Sequence, residues 1–391
     1  MVNIARFAIP HHWPGRVFAS AAGLTLAAAL LGSSMTAAAA PRHQVTAITH
    51  GFLDGVSCFS ASNCAAVGQR VPAQGIGGSL AERWNGTTWS VVHTPNPGLS
   101  NGTRLTGVAC PGPSTCLAVG WFTDGASGDT LPTAEKWNGT SWSLLSVPDA
   151  SGSTDARLNS VACSGTGNCF AVGASMSQTF IERWNGSAWS IVSSPSPGSA
   201  ALLFGVTCPS ASRCWAVGFT TSGTTGGTLA ERWDGTTWTV VHTPVSSDSE
   251  LDSVSCASTS DCVATGSGGN MFAVAQVWNG TAWANAAPGK PTGASITVLK
   301  GVSCPAGASA CESAGAKEVS SGERALAERW SGSAWSVQST GTISGTTFSS
   351  LDAVTCTSAS NCWATGELDT SSARDVLIEK WNGTSWSVIV S

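Results

Sequence analysis

The chain has 391 residues, a net charge of −5, and charged residues at only 10% of its positions, whereas ordinary soluble domains have about 25%. Proteins that bind nucleic acid concentrate Lys and Arg in a basic stripe. We therefore expect no nucleic-acid partner for this acidic, weakly charged chain. Ser, Thr and Gly supply most of the polarity, which suits an exported protein.

The first 39 residues have the pattern of a secretory signal peptide. Arg6 and Arg16 provide positive charge, and residues 17–31 form an apolar run of 15 residues. A membrane span needs ~20 apolar residues, so we favour export over the alternative of a membrane anchor. Residues 37–39 fit a cleavage site, with the cut after Ala39. The mature chain then has 16 Lys and Arg against 23 Asp and Glu, and no later stretch apolar enough to span a membrane.

The rest of the chain is an internal repeat that the cysteines mark. Each cysteine pair lies in the same frame, shown well by LFGVTCPSASRCWAVG at residues 203–218, and corresponding cysteines are 45 to 53 residues apart. In chain order the pairs are Cys58/Cys64, Cys110/Cys116, Cys163/Cys169, Cys208/Cys214, Cys256/Cys262, Cys304/Cys311 and Cys356/Cys362.

A tryptophan segment follows each cysteine pair, such as ERWNGTTWSVVHTP at residues 82–95, which returns as ERWDGTTWTVVHTP at residues 231–244. Each copy reads as four short strands, a to d: a runs to the first Cys, b starts at the second, c ends at the first Trp and d starts at the second Trp. Asn-Gly between c and d is a strong hairpin signal. We predict a two-residue type I′ turn in which Trp84 pairs with Thr87 and Glu82 pairs with Trp89.

Seven units of this length with four strands each predict an all-β fold, a seven-bladed β-propeller of four-stranded antiparallel blades. A solenoid is the alternative. We assign residues 51–391 to the propeller and residues 40–50 to an N-terminal segment. Within that segment, QVTAIT at residues 44–49 is a candidate ring-closing strand.

The tryptophan pairs account for 14 of the 18 tryptophans. A residue repeated in every blade is expected to have a structural role that all blades share. We therefore interpret these side chains as packing between neighbouring blades. The alternative is seven stacking platforms for sugars.

The 14 cysteines, paired within every repeat of an exported chain, predict seven disulfides, each inside one blade. The C-x-x-C spacing of redox centres and the ligand spacing of zinc sites are both missing. No H-E-x-x-H, G-x-S-x-G or P-loop spacing occurs either. We therefore expect no metal, no cofactor and no identifiable catalytic residue.

The repeat resembles known propeller families. Gly86 and Trp89 match the glycine and tryptophan of the Asp-box, or BNR, hairpin of sialidase-type propellers, although Trp84 replaces its Asp and Glu82 its Ser/Thr. The whole repeat also resembles those of photosystem II stability/assembly-factor propellers. This resemblance implies a propeller fold in a disulfide-bearing, secreted form. It does not imply sialidase activity, which in that family uses a tyrosine nucleophile, because the chain has no tyrosine.

In such a blade the b–c and d–a connections lie on one end, which we call the variable face because their lengths differ between repeats. The a–b and c–d turns lie on the opposite, constant face. Binding sites usually use variable loops of a rigid scaffold. The residues that occur once and are predicted to bind ligand there are Trp121, Phe122, Asp124, Asp155, Arg157, Arg374 and Asp375. The alternative is that they are solvated loop tips.

A second set of non-repeated residues occupies the second position of strand a: Asp54, Thr106, Asn159, Phe204, Asp252, Lys300 and Asp352. Ring closure would make Asp54 and Asp352 neighbours, so a cation shared by the two carboxylates is conceivable.

These patterns predict a secreted, monomeric, non-catalytic protein that binds a glycan or an extracellular protein through the variable face. One alternative is a polysaccharide hydrolase or lyase that uses loop carboxylates. Another is a cell-surface structural scaffold.

Overall fold

The computed structural model describes residues 50–72, 77–97, 100–150, 152–223, 225–244, 248–370 and 373–389. These residues form seven four-stranded antiparallel sheets with strands in chain order, and they contain no helix. The first sheet packs against both the second and the seventh, so the sheets close into a ring of blades. The predicted seven-bladed propeller is confirmed, and a solenoid is excluded because its end units would not meet. The predicted signal peptide and the candidate closing strand at residues 44–49 lie outside the described residues.

Strand a of the seven blades comprises β1 (Gly51–Ser60), β5 (Ser100–Gly112), β9 (Ala156–Gly165), β13 (Ala200–Ser210), β17 (Glu250–Ser258), β21 (Ile296–Ser303) and β25 (Phe348–Ser358). Strand b comprises β2 (Asn63–Arg70), β6 (Thr115–Asp124), β10 (Asn168–Ser175), β14 (Arg213–Ser222), β18 (Asp261–Ser267), β22 (Cys311–Val319) and β26 (Asn361–Asp369). Strand c comprises β3 (Ser79–Trp84), β7 (Thr130–Trp137), β11 (Gln178–Trp184), β15 (Thr225–Trp233), β19 (Ala273–Trp278), β23 (Gly322–Trp330) and β27 (Arg374–Trp381). Strand d comprises β4 (Trp89–Val92), β8 (Trp142–Leu145), β12 (Trp189–Val192), β16 (Trp238–Val240), β20 (Trp283–Asn285), β24 (Trp335–Gln338) and β28 (Trp386–Ile389).

The a strands contact one another at the centre of the ring, where small residues permit the closest approach. A Cβ atom on Gly107 would lie 2.9 Å from the Cα atom of Ser160 in the next blade. One position earlier, every a strand carries a β-bulge, in which one extra residue faces the partner strand. The bulged residues are the non-repeated set Asp54, Thr106, Asn159, Phe204, Asp252, Lys300 and Asp352.

In each blade the two tryptophans of the c–d hairpin lie directly opposite each other, as Trp84 and Trp89 do in the first blade. The hairpin loop therefore has four residues. The predicted pairing of Trp84 with Thr87 and of Glu82 with Trp89 is wrong, and Glu82 pairs with Val91.

The asparagine side chain explains the longer loop. Asn85 Oδ1 accepts hydrogen bonds from the backbone N–H groups of Thr87 and Thr88, both at 2.9 Å, so the side chain closes the turn in place of a backbone carbonyl. Of the two central residues of the predicted turn only Gly86 has a positive φ, of 99°, whereas a type I′ turn requires two.

The repeated tryptophans fill the wedges between blades, and 13 of the 14 are at most 9% exposed. A cation from the preceding blade commonly covers the ring, as Arg83 does over Trp137 at 4.9 Å. The seventh blade adds Trp363, whose ring lies 4.7 Å from that of Trp84 and 5.3 Å from that of Trp89. This aromatic cluster joins the last blade to the first, and the buried rings leave no flat surface for sugar stacking.

The glutamate two residues before the first hairpin tryptophan is buried in six blades, and blade five has Gln276 there, at 1% exposure. The 0% exposed glutamates are Glu82, Glu135, Glu182, Glu231, Glu328 and Glu379. Several accept hydrogen bonds from the preceding blade: Gly289 N–H donates to Glu328 at 2.7 Å, and Gly341 N–H to Glu379 at 2.9 Å. Burial raises the pKa of Glu328 and Glu379 to about 7, so these carboxyls favour the neutral form only below that pH.

All 14 cysteines form disulfides within their own blade, with Cα–Cα distances of 3.9 to 4.2 Å. The predicted pairing is confirmed. Each bond joins strands a and b next to the turn on the constant face, where it fixes their register. Seven disulfides indicate an oxidising, extracellular environment. Among the described residues there is no helix with the length and hydrophobicity of a membrane span.

The second cysteine of each pair lies near the start of strand b and is buried in the blade, which its place in the sequence did not reveal. In every blade it pairs across to strand c with the first hairpin tryptophan, as Cys64 does with Trp84. These cysteines therefore pack in the core and are structural residues that no ligand can reach. Six of them are at most 1% exposed, namely Cys64, Cys116, Cys169, Cys214, Cys262 and Cys362.

Candidate functional site

The structure places the predicted ligand-binding residues at the variable face, but at strand ends more than in loops. Trp121, Phe122 and Asp124 belong to β6, and Arg157 belongs to β9. Within the segment at residues 120–129, β6 extends to Asp124. Asp124 N–H donates to Asp129 O at 2.8 Å and leaves only a short turn between them.

Three of these residues meet across the junction of blades two and three. The Arg157 guanidinium carbon lies 5.1 Å from the centre of the Trp121 ring. Arg157 Nε donates to Asp155 Oδ1 at 2.8 Å. The two charged side chains are 46% and 50% exposed, and Trp121 is partly exposed. We refer to Trp121, Asp155 and Arg157 as the blade 2–3 cluster.

Backbone hydrogen bonds position this cluster. Asp155 forms a parallel bridge with Thr130, the first residue of β7. Asp155 O accepts from the backbone N–H of Met176 at 2.7 Å. Trp121 and Arg157 each belong to a strand of a four-stranded sheet, so the cluster is positioned by the ends of sheets rather than by loops.

Phe122 and Asp124 do not join the cluster. Successive residues of a strand point to opposite faces, so Phe122 faces away from Trp121. Asp124 Oδ2 accepts from both the N–H and the hydroxyl of Ser127 at 2.9 Å, and these bonds lower the pKa of Asp124. Asp124 therefore shapes the turn.

Arg374 and Asp375 lie away from the blade 2–3 cluster, at the start of β27 in the seventh blade. Asp375 is 6% exposed and contacts His50 Nδ1 at 2.8 Å, which ties the chain before β1 to the last blade. Arg374 Nε lies 3.2 Å from Glu367 and 3.1 Å from Asp369. Both predicted residues are thus engaged in contacts within the protein.

Three of the seven bulged residues of the a strands, Asp54, Lys300 and Asp352, take part in ion pairs near the centre of the ring. Arg104 donates to Asp54 through Nε at 2.8 Å and Nη2 at 2.6 Å. Lys300 Nζ lies 2.6 Å from Asp352 Oδ1. The cations beside Asp54 and Asp352 are therefore protein side chains, whereas a shared metal ion was considered from the sequence. Among the described residues, no three His, Cys, Asp or Glu side chains come together as metal ligands.

Glu367 and Asp352, at the Lys300–Asp352 ion pair, have pKa shifts of opposite direction. Burial, together with the charge of Asp352, raises the pKa of Glu367 to about 7. Burial alone would also raise the pKa of Asp352, but Lys300 outweighs it and lowers that pKa. Glu367 was not predicted from the sequence, and nor were the repeated buried glutamates. The repeated glutamates had a visible signal, since Glu recurs before Trp in six of the seven hairpins.

Comparisons with known proteins identify the fold but not a family. No family model and no curated protein matches the sequence. Similar solved structures include YCF48 bound to D1 peptide (TM-score 0.53, 13% identity, 85% of this chain and 94% of that chain). They also include Sqt1 from Chaetomium thermophilum (0.51, 10%, 86% and 84%). A third is a polysaccharide lyase of the ulvan lyase family PL25, bound to -[GlcA(1-4)Rha3S]- (0.55, 8%, 87% and 96%). At these identities the likeness concerns the propeller fold alone, and the Asp-box family is not confirmed.

Proposed function

We propose that this protein is exported and binds an extracellular glycan or protein through its variable face, without covalent chemistry. The observation that carries the proposal is the blade 2–3 cluster. A single binding site needs residues that are not repeated in every blade. Here the indole of Trp121, the guanidinium of Arg157 and the carboxylate of Asp155 meet at the ends of strands. The repeated tryptophans are poorly suited to this role, because 13 of the 14 are buried between blades.

The disulfides and the N-terminal sequence support export. Propellers of similar architecture also support binding: one is described with a D1 peptide and another with an oligosaccharide. These two ligands belong to different chemical classes, so the proposal at this level includes both a glycan and a protein partner.

A glycan array and a panel of immobilised extracellular proteins would test the proposal with the mature protein. We expect Trp121→Ala and Arg157→Ala to reduce binding by at least about tenfold, the effect of losing a contact of about 1.4 kcal/mol. Phe59→Ala is the matched control, because Phe59 is a 46% exposed aromatic residue beside the constant face. Equal binding by all three variants would contradict the assignment of the site.

A second candidate function is polysaccharide cleavage, supported by Glu367 and Asp352. Environments that push the pKa values of two carboxyls apart are typical of a general acid and its partner base. Glu367 would be the protonated acid and Asp352 the ionised partner. Turnover of a polysaccharide that Glu367→Gln abolishes, with the fold retained, would establish this role. A lack of turnover on a broad polysaccharide panel would leave binding as the function.

A further inference from the structure

Two arginines occupy the same register in neighbouring blades but differ in their hydrogen bonds and exposure. Each lies two residues before the bulge of its a strand, Arg104 in β5 and Arg157 in β9. Arg104 donates to Asp54 through two nitrogens, and its side chain is only 16% exposed. Arg157 donates to Asp155 through Nε alone and is 46% exposed. In the Arg104–Asp54 pair both carboxylate oxygens accept hydrogen bonds from the arginine. In the Arg157–Asp155 pair only one carboxylate oxygen does.

The exposed pair retains both kinds of hydrogen-bonding group. Among the described residues none accepts a hydrogen bond from the terminal amino groups of Arg157, and none donates one to Asp155 Oδ2. The terminal amino groups of Arg157, which can donate, and Asp155 Oδ2, which can accept, therefore lie side by side at the surface. A hydroxyl group donates and accepts at once, so two adjacent hydroxyls can satisfy both groups together.

An anionic ligand fits this pair poorly. A carboxylate or sulfate accepts hydrogen bonds but donates none, so it would leave Asp155 unsatisfied and face its charge. The neighbouring hairpin adds Asp124 and Asp129, and the chain as a whole has a net charge of −5. The charges around Arg157 therefore disfavour an acidic polymer.

The indole of Trp121 completes the subsite. It lies against the Arg157 guanidinium and remains partly exposed at the same junction. A pyranose ring has an apolar C–H face and polar hydroxyls at its edge, so it matches an aromatic surface beside a donor–acceptor pair. The fixed backbone of Asp155 means that little ordering is needed on binding.

We propose that Trp121, Asp155 and Arg157 form a subsite for an uncharged sugar that presents two adjacent hydroxyl groups, within an uncharged polysaccharide. This inference rests on the proposed binding function of the variable face and adds the ligand class. Arg157 donates to one hydroxyl oxygen, and Asp155 Oδ2 accepts a hydrogen bond from the same or the adjacent hydroxyl.

The test measures binding of the mature protein to cellohexaose, laminarihexaose and mannohexaose, with hexagalacturonate and an acidic peptide as the charged probes. We expect at least one uncharged hexasaccharide to bind. Asp155→Asn, which replaces the free acceptor oxygen by an amide, should weaken that binding about tenfold, and Trp121→Ala and Arg157→Lys should do the same. Asp248→Asn is the matched control, because Asp248 is an exposed carboxylate on another connection of the variable face, and this variant should bind normally.

The outcomes separate this inference from the proposed function. Preferential binding of hexagalacturonate or the acidic peptide, or full binding by Asp155→Asn, would overturn the uncharged-sugar subsite while leaving variable-face binding intact. Binding only to an extracellular protein would do the same. If folded Trp121→Ala and Arg157→Lys bind every probe and partner as the unchanged protein does, both the subsite and the proposed function fail. Thermal unfolding of each variant confirms that the comparisons use folded protein.

Discussion

Replacing Glu231 by Gln should make the propeller more stable at alkaline pH. Glu231 is 0% exposed, and its Oε2 accepts from Ser194 Oγ of the preceding blade at 2.8 Å. Glu231 Oε1 is buried and has no hydrogen-bond partner among the described residues. Gln has the same shape but no charge, and blade five already uses Gln276 at this position, with Nε2 donating to Thr228 Oγ1 at 3.4 Å.

The magnitude follows from the pKa of the buried group. Burial raises the pKa of Glu231 from 4.5 to about 7, which corresponds to about 3 kcal/mol. Since the folded pKa is raised, the folded protein holds the proton more tightly than the unfolded chain does. The stabilisation is complete below pH 4.5 and is lost as the pH rises to about 7. Gln does not titrate, so the variant should gain up to about 3 kcal/mol over the unchanged protein above about pH 8 and little at about pH 4.5.

Guanidinium unfolding at about pH 4.5 and about pH 8.5, on either side of the shifted pKa, would measure this difference. Gln276→Glu is the reciprocal control and should destabilise the protein more at the alkaline pH than at the acidic one. The reasoning is refuted if Glu231→Gln changes the free energy of unfolding by the same amount at both pH values, because the effect of Glu231 on stability would then not depend on its titration.

Two further predictions concern packing and the hairpin loop. Trp233→Ala should lower the free energy of unfolding by about 3–5 kcal/mol through loss of core packing. Trp335→Ala, at the one half-buried hairpin tryptophan, should lower it less. Equal losses of the two variants in chemical denaturation would contradict the packing account. Gly86→Ala should destabilise by about 1 kcal/mol or more, because φ is 99° and the new Cβ would lie 3.0 Å from Ser62 Cβ. Gly165→Ala, where a Cβ meets nothing within 4 Å, is its control in thermal unfolding, and a larger loss at Gly165 would count against the strain argument.

The sequence was sufficient to predict the fold because every repeat contains the same local signals for its four strands. Cysteines fix the register of strands a and b, and the tryptophans mark strands c and d seven times over. The hairpin loop was mispredicted because the Asn-Gly signal describes backbone preference only. It does not show that the Asn85 side chain accepts two backbone hydrogen bonds and lengthens the loop.

The residues of the candidate site were predicted as a set, but their arrangement was not. Trp121 and Arg157 are far apart in sequence and belong to different blades, so their contact depends on how the end of β6 faces the start of β9. The same applies to Lys300 and Asp352, which pair across blades six and seven. Such contacts depend on ring geometry, whereas Phe122 and Asp124 were grouped with Trp121 only because they are close in sequence.

The disulfides bear on how such a chain can evolve. Each disulfide and each four-stranded sheet is contained in one blade, so copying a blade duplicates a complete covalent unit without leaving an unpaired thiol. Neighbouring units then match largely through the hairpin indoles and a buried Glu or Gln, which every copy carries. Duplication of such a segment would therefore produce a unit with its own disulfide and sheet, which would account for near-identical stretches such as residues 82–95 and 231–244. The positions where copies have diverged, as at Trp121 and Arg157, are where selection could have acted on a single blade.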